Sequence, residues 1–164
     1  KIKYIITRFG LIAGPWQFGK KDQGVVSLWV WKHINKKKLS YIGFGGKGSQ
    51  IRDVIHISDV CKLIALQTKK INNIYNITMN AGGGRKNAIS LRDLTKICQN
   101  VTSNRIKISS KKSTSEYDIP YYVTDNSKVK KIYKWNPKKK ILHIIQDMYK
   151  WMLSNKKILK KYIK

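Results

Sequence analysis

A chain of 164 residues is one domain's length, and an apolar share of 41% with five Trp, nine Tyr and three Phe fills a core, which excludes a disordered polymer. The formal net charge of +27 invites a nucleic-acid partner, but only five of the 35 cationic residues are arginine, the side chain that bidentate and stacked base contacts favour. The lysines are spread, with clusters at 36–38, 138–140 and 156–161, as an A/T-rich coding sequence produces, and neither a transmembrane run nor a signal peptide is present, so a solvated surface with no specific nucleic acid and no membrane is expected.

Residues 3–9 (KYIITRF) are β-branched and aromatic and predict a strand that stops at Gly10, with Gly14-Pro15 breaking the chain again. Trp16 follows in a loop, where it either packs into the core or lines a pocket. Asp22 is placed to cap a helix on which Val25, Val26, Trp29, Val30 and Ile34 recur at helical spacing. Residues 39–42 and 52–57 predict short strands around a glycine-rich turn, and Ser58 or Asp59 caps a helix running to about Thr68. Residues 73–78 predict a strand leading into the loop MNAGGGRKNA. Ser90 and Asp93 form a capping-box pattern for a helix over 91–101. Residues 105–109 and 120–124 predict strands, 126–133 and 142–153 helices, and the last ten residues a basic amphipathic end. Strands and helices alternate, so the class is α/β.

The glycines at 82–84 sit between strand and helix, where phosphate loops also sit, but Asn87 replaces the third glycine of a dinucleotide fingerprint and no acidic residue follows about twenty positions on. A ligand-facing turn and a packing turn both remain open. No nucleophile elbow, zinc helix or Walker loop is present. Cys61 and Cys98 lie in separate apolar-periodic stretches, which predicts two reduced core thiols and a cytosolic (cytoplasmic) compartment. His33 and His143 are expected on the surface among lysines, and His56, between Ile55 and Ile57, as a wall residue. Arg52 is the strongest single candidate. It either pairs with Asp53 or Asp59, or clamps a phosphate with its planar fork; the neighbouring glycines and Gln50 favour the clamp.

Three segments together carry a resemblance. RFGLIAGP (8–15), GSQIRDVIHISDV (48–60) and the Asp125, Ser127-Lys128, Trp135-x-Pro137 series resemble the C-terminal half of extended short-chain dehydrogenase/reductases that act on nucleotide sugars, the NAD-dependent epimerases and dehydratases. Trp16-Gln17 with Asp22-Gln23-Gly24 is most similar to a 2-epimerase subgroup using CDP-sugars. The resemblance implies the last sheet strands of a Rossmann-type fold plus a substrate-binding region, as a partial domain over 1–153 with a basic tail over 154–164. It implies an isomerase that removes and returns a hydride at sugar C2 through NAD. It further implies substrate contacts at Arg52 (diphosphate), Tyr41 or Ile42 (near the base), Asn76 and Gln23; a second family arginine is replaced here by Ser115, and Arg85 or a lysine is expected to compensate for it.

Neither the glycine fingerprint nor the Tyr-x-x-x-Lys pair of that family is in these residues, and Lys1 stands where a complete chain has Met. The sequence is therefore expected to be part of a longer protein. NAD would be bound mainly by the other half, this half alone would be inert, and the full-length protein would form a homo-oligomer. The alternatives are a 4-epimerase or 4,6-dehydratase and, from another class, a basic nucleic-acid-binding module.

Overall fold

The β-branched run Ile5–Phe9 forms β1 and pairs in parallel with β5, Ile77–Ala81, placing Ile5 opposite Ile77 and Phe9 opposite Ala81. The computed structural model describes residues 1–20 and 24–163. The strand expected over 73–78 thus lies later in the chain. Residues 73–76 are turn, Asn76 takes a positive φ of 53°, and its N–H closes on the Tyr4 carbonyl at 2.6 Å to open the β1 ladder. Pairing with β1, not local propensity, sets where β5 begins.

After β2 (Leu11–Ala13) comes helix α1, Val25–Ile34, entered from Gly24; the proposed cap Asp22 lies outside the described residues. Strand β3 (Leu39–Ile42) leads through the glycine turn to β4 (Ile51–His56) and helix α2 (Ile57–Lys70). His56, not Ser58 or Asp59, caps α2: its Nδ1 accepts the Ser58 amide at 3.1 Å. Strand β6 (Ala88–Ser90) precedes α3 (Leu91–Thr102), where the capping box forms, Ser90 Oγ accepting the Asp93 amide at 3.1 Å. Then come β7 (Ile108–Lys111), β8 (Tyr121–Tyr122), α4 (Ser127–Tyr133), α5 (Ile141–Ser154) and α6 (Lys156–Tyr162). The amphipathic end is this last helix, whose Leu159, with Ile163 just after it, is buried in the core.

Strand β4 organises the molecule. It pairs in parallel with β2 and β8 and antiparallel with β6. Its side chains alternate between two cores, as a period of two requires. Val54 joins the core of α1, α3, α5 and α6, built on Trp29, Trp31, Leu94, Met148 and Met152. Ile55 joins the core of β1, β5, α2 and α4, built on Leu63, Met79, Val129 and Trp135. Arg52 therefore shares a face with Val54, and Asp53 with Ile55. Strand β1 has one partner, β5, among the described residues, and Tyr4 and Ile6 are each about half exposed.

Several expectations are corrected. His33 is fully buried, because α1 turns the face bearing Trp29, Val30 and His33 into the core; its Nδ1 lies 2.7 Å from the Trp29 carbonyl. Cys61 is exposed, since Val60 and Leu63 define the buried stripe of α2, whereas Cys98 is buried and its thiol pKa is pushed far up by burial. Trp16 is 74% exposed at a φ of 70°, and its ring meets Trp151. His143 is exposed, as read.

Burial holds both His33 and His56 below the usual imidazole pKa. The folded state then binds protons less readily than the unfolded chain. This stability is fully present above the unfolded value of about 6.5 and is lost as pH falls through the lower folded values. Thermal melts between about pH 7.5 and 5 should show a falling midpoint, and His33→Gln should flatten the profile.

Candidate substrate-binding cleft

On the Val54 face of β4, a cleft of about 330 Å³ has an apolar floor of Leu11, Val26, Val54 and Leu94 and a polar rim of Gln50, Arg52 and Asp118. An apolar floor with a few convergent polar groups is the usual make-up of a small-molecule site. Arg52 enters it because it lies two residues before Val54 on the strand. Its Nη2 donates to Asp118 Oδ1 at 2.6 Å and to the Ile119 carbonyl at 2.7 Å, and its Nη1 to the Ile51 carbonyl at 2.8 Å. The expected partners Asp53 and Asp59 are excluded by geometry: Asp53 points to the opposite face, and Asp59 binds the amides of Lys138 and Lys139 at 2.8 and 2.9 Å. The Arg52–Asp118 pair is partly solvated, with side-chain exposures of 25% and 36%. Such a pair is worth about 0–1 kcal/mol, so an incoming dianion can displace the carboxylate.

Gln50 completes the rim. Its Nε2 donates to the Ile42 carbonyl at 3.1 Å, while its buried Oε1 has no hydrogen-bond partner. An unpaired buried acceptor is costly and awaits a donor. Ile42 contributes through this carbonyl; its side chain is half exposed. Tyr41 lies outside the cleft lining. It stacks on Trp29 with centroids 6.3 Å apart, and its hydroxyl donates to Thr95 Oγ1 at 2.8 Å. Gly48, at a φ of 64°, presses on that ring, since a Cβ there would stand 2.8 Å from Tyr41 Cδ1.

The remaining candidates lie elsewhere. Asn76 is exposed at the N-terminal end of β5, whereas open α/β sheets hold ligands at the carboxyl ends of their strands. Arg85 lines a different cleft beside Gly83 and Gly84, on the Asp53 side of β4. Gln23 lies outside the described residues. Asp118 and the free Oε1 of Gln50 were missed as site features. Asp118 reaches Arg52 across 66 positions, with no local signal.

His56 is a wall residue. Its Nδ1 meets Ser58 Oγ at 2.7 Å, and its buried Nε2 stands 3.6 Å from Asp147 Oδ2. The glycine loop at 82–84 is a packing turn. Gly84 N–H donates to Asp53 Oδ2 at 2.8 Å and Gly82 N–H to Asn126 Oδ1 at 2.9 Å, while a Cβ on Gly83 would stand 2.2 Å from the Val54 carbonyl oxygen. With the Gly82 and Gly84 amides already engaged by Asn126 and Asp53, this loop does not offer the free N–H groups that a dinucleotide pyrophosphate needs. Among the described residues no group of three His, Cys, Asp or Glu could hold a metal, and no helix is long and apolar enough to cross a membrane.

Residues 1–81, just under half of the chain, match the family model described as NAD dependent epimerase/dehydratase family. It is 28% identical over 152 residues to the CDP-paratose 2-epimerase of Salmonella typhi, covering 92% of this chain and 45% of that protein. It is 27% identical over 161 residues to the UDP-glucuronate 4-epimerase of Thermodesulfobacterium geofontis, covering 94% and 45%. Among solved structures it superposes on the UDP-glucose 4-epimerase of Thermotoga maritima with a TM-score of 0.81 at 21% identity, over 94% of this chain and 47% of that one. The chain thus spans about half the length of the relatives it matches, and its fold is the corresponding part of a Rossmann-type epimerase, as the motifs implied.

Proposed function

We propose that these residues form the nucleotide-sugar-binding portion of an NAD-dependent epimerase, specifically a CDP-paratose 2-epimerase. The observation that carries this reading is the pairing, on one cleft rim, of a displaceable Arg52 guanidinium with the unpartnered Gln50 Oε1. The first suits a diphosphate; the second suits an amino or hydroxyl donor of a nucleoside. Likeness to the Salmonella typhi enzyme favours CDP-paratose among substrates. Arg85, on the other face, does not take the place of the missing second arginine. NAD and the catalytic tyrosine are assigned to a part of the protein other than these 164 residues, no hydride step is assigned to this chain, and alone it is inert. We place the full-length protein in the cytoplasm as a homo-oligomer.

Calorimetric titration with CDP, UDP and dTDP tests the reading. CDP should bind best, and Arg52→Met should weaken it about 10- to 100-fold, the worth of a charge-assisted hydrogen bond of ~1.5–3 kcal/mol. Tighter binding of UDP or dTDP would favour a 4-epimerase or 4,6-dehydratase. Unchanged affinity in the variant would remove Arg52 from the site.

A further inference from the structure

The Asp53 side of β4, away from the Arg52 cleft, carries a larger cavity of about 1110 Å³. Its walls gather Arg85, Lys86, Lys130, Lys138, Lys139 and Lys140 around one carboxylate, Asp125, whose Oδ1 is already taken by the Ser127 amide at 2.9 Å and by the Ser127 hydroxyl. An adjoining cleft of about 400 Å³ shares Asn136 and Lys138 with the first and adds Lys62, Lys69 and Lys134. The two lie side by side across these shared residues, a bipartite lysine-lined channel. The carboxylate in the second cleft, Asp59, is buried under the Lys138 and Lys139 amides. Of the channel's cations, only Lys62 and Lys139 have an acidic partner within 4.0 Å among the described residues.

Crowding unpaired like charges along a concave wall is unfavourable without a compensating anion, and a low-dielectric groove focuses their field. The sequence placed these lysines in four separate stretches; the fold brings them together. An extended anion matches this arrangement, because the positive charge runs across two adjoining clefts. A groove accommodates a strand better than a flat membrane surface. Tyr121 also lines the larger cleft and is 58% exposed, offering a ring on which a base can stack. Lysine ammonium groups contact phosphates as point charges and do not read base edges.

We propose that this channel binds single-stranded nucleic acid independently of sequence, with phosphates on the lysines and a base on Tyr121. This is separate from nucleotide-sugar binding and stands or falls independently of it.

The test uses the 164-residue chain and a fluorescent twelve-nucleotide oligo-dT. Affinity should fall with salt at a log–log slope of about −4, as about six phosphate contacts on a single strand require. The variant Lys130→Glu/Lys134→Glu/Lys140→Glu should bind at least tenfold more weakly and with a shallower slope. A control reversing Lys36, Lys37 and Lys38 should change affinity less than threefold, with circular dichroism confirming that both variants fold. Tyr121→Ala should weaken oligo-dT about threefold or more and leave inorganic polyphosphate unaffected. Equal losses in the two triple variants would overturn the channel in favour of diffuse charge. Preference for polyphosphate, or for vesicles of one-third phosphatidylglycerol in phosphatidylcholine, over oligo-dT would overturn the nucleic-acid assignment.

Discussion

Gly83→Ala is expected to destabilise the fold by about 3 kcal/mol or more, the upper range for forcing extra volume into a packed site. A Cβ there would stand 2.2 Å from the Val54 carbonyl oxygen and 2.7 Å from its carbonyl carbon. Both atoms belong to the backbone of β4, whose Val54 is buried and paired with Leu11, so neither can retreat cheaply. Gly83 is not among the residues with positive φ, which makes the substitution a test of space alone. Gly45→Ala makes the contrast: its nearest neighbours are Lys47 side-chain atoms at 3.9 and 4.0 Å, and its φ of 72° leaves mainly the left-handed backbone cost of about 1–2 kcal/mol. Urea denaturation of both variants separates the cases. A Gly83→Ala midpoint equal to wild type would mean that the glycine loop does not pack beneath β4.

Asp59→Ala should cost about 2–5 kcal/mol. One buried carboxylate oxygen holds two backbone amides, Lys138 at 2.8 Å and Lys139 at 2.9 Å, and so ties α2 to the segment that leads into α5. Alanine leaves both donors unpaired, and each unsatisfied buried group costs about 1–3 kcal/mol. Asp59→Asn keeps an acceptor oxygen and should recover more than half of the loss in thermal or urea unfolding. If alanine and asparagine behave alike, the amides find water and the tie carries little. Because Asp59 holds the amide of Lys138, which lines both lysine-rich clefts, the alanine variant should also loosen the wall they share.

Much of this architecture was legible locally. The alternation around residues 52–57 located β4, and the Ser90–Asp93 pattern located the start of α3. The shifted β5 was not legible, because Tyr75 and Asn76 have strand-like neighbours and only pairing with β1 decides the boundary. His33 was misread from the lysines around it; its four-residue spacing from Trp29 was the available signal, since those positions share a helix face. Arg52 was found from its own segment, yet its partner Asp118 was not. The chain brings that contact together only after α2, β5, β6 and α3 have been laid down. The lysine channel was hidden for the same reason, since a count of charges says nothing about which of them become neighbours.

The open edge of β1 has a consequence for assembly. Among the described residues its second edge has no strand partner, and its outward N–H and C=O groups, flanked by half-exposed Tyr4 and Ile6, form a template for a further strand. Whether that strand is tethered to the same polypeptide or arrives as a separate one makes no difference to the hydrogen bonds formed. The chain is thus equipped for complementation in trans. A polypeptide carrying the neighbouring strands could zip onto β1 and rebuild a continuous sheet from two pieces, much as a split reporter regains its fold.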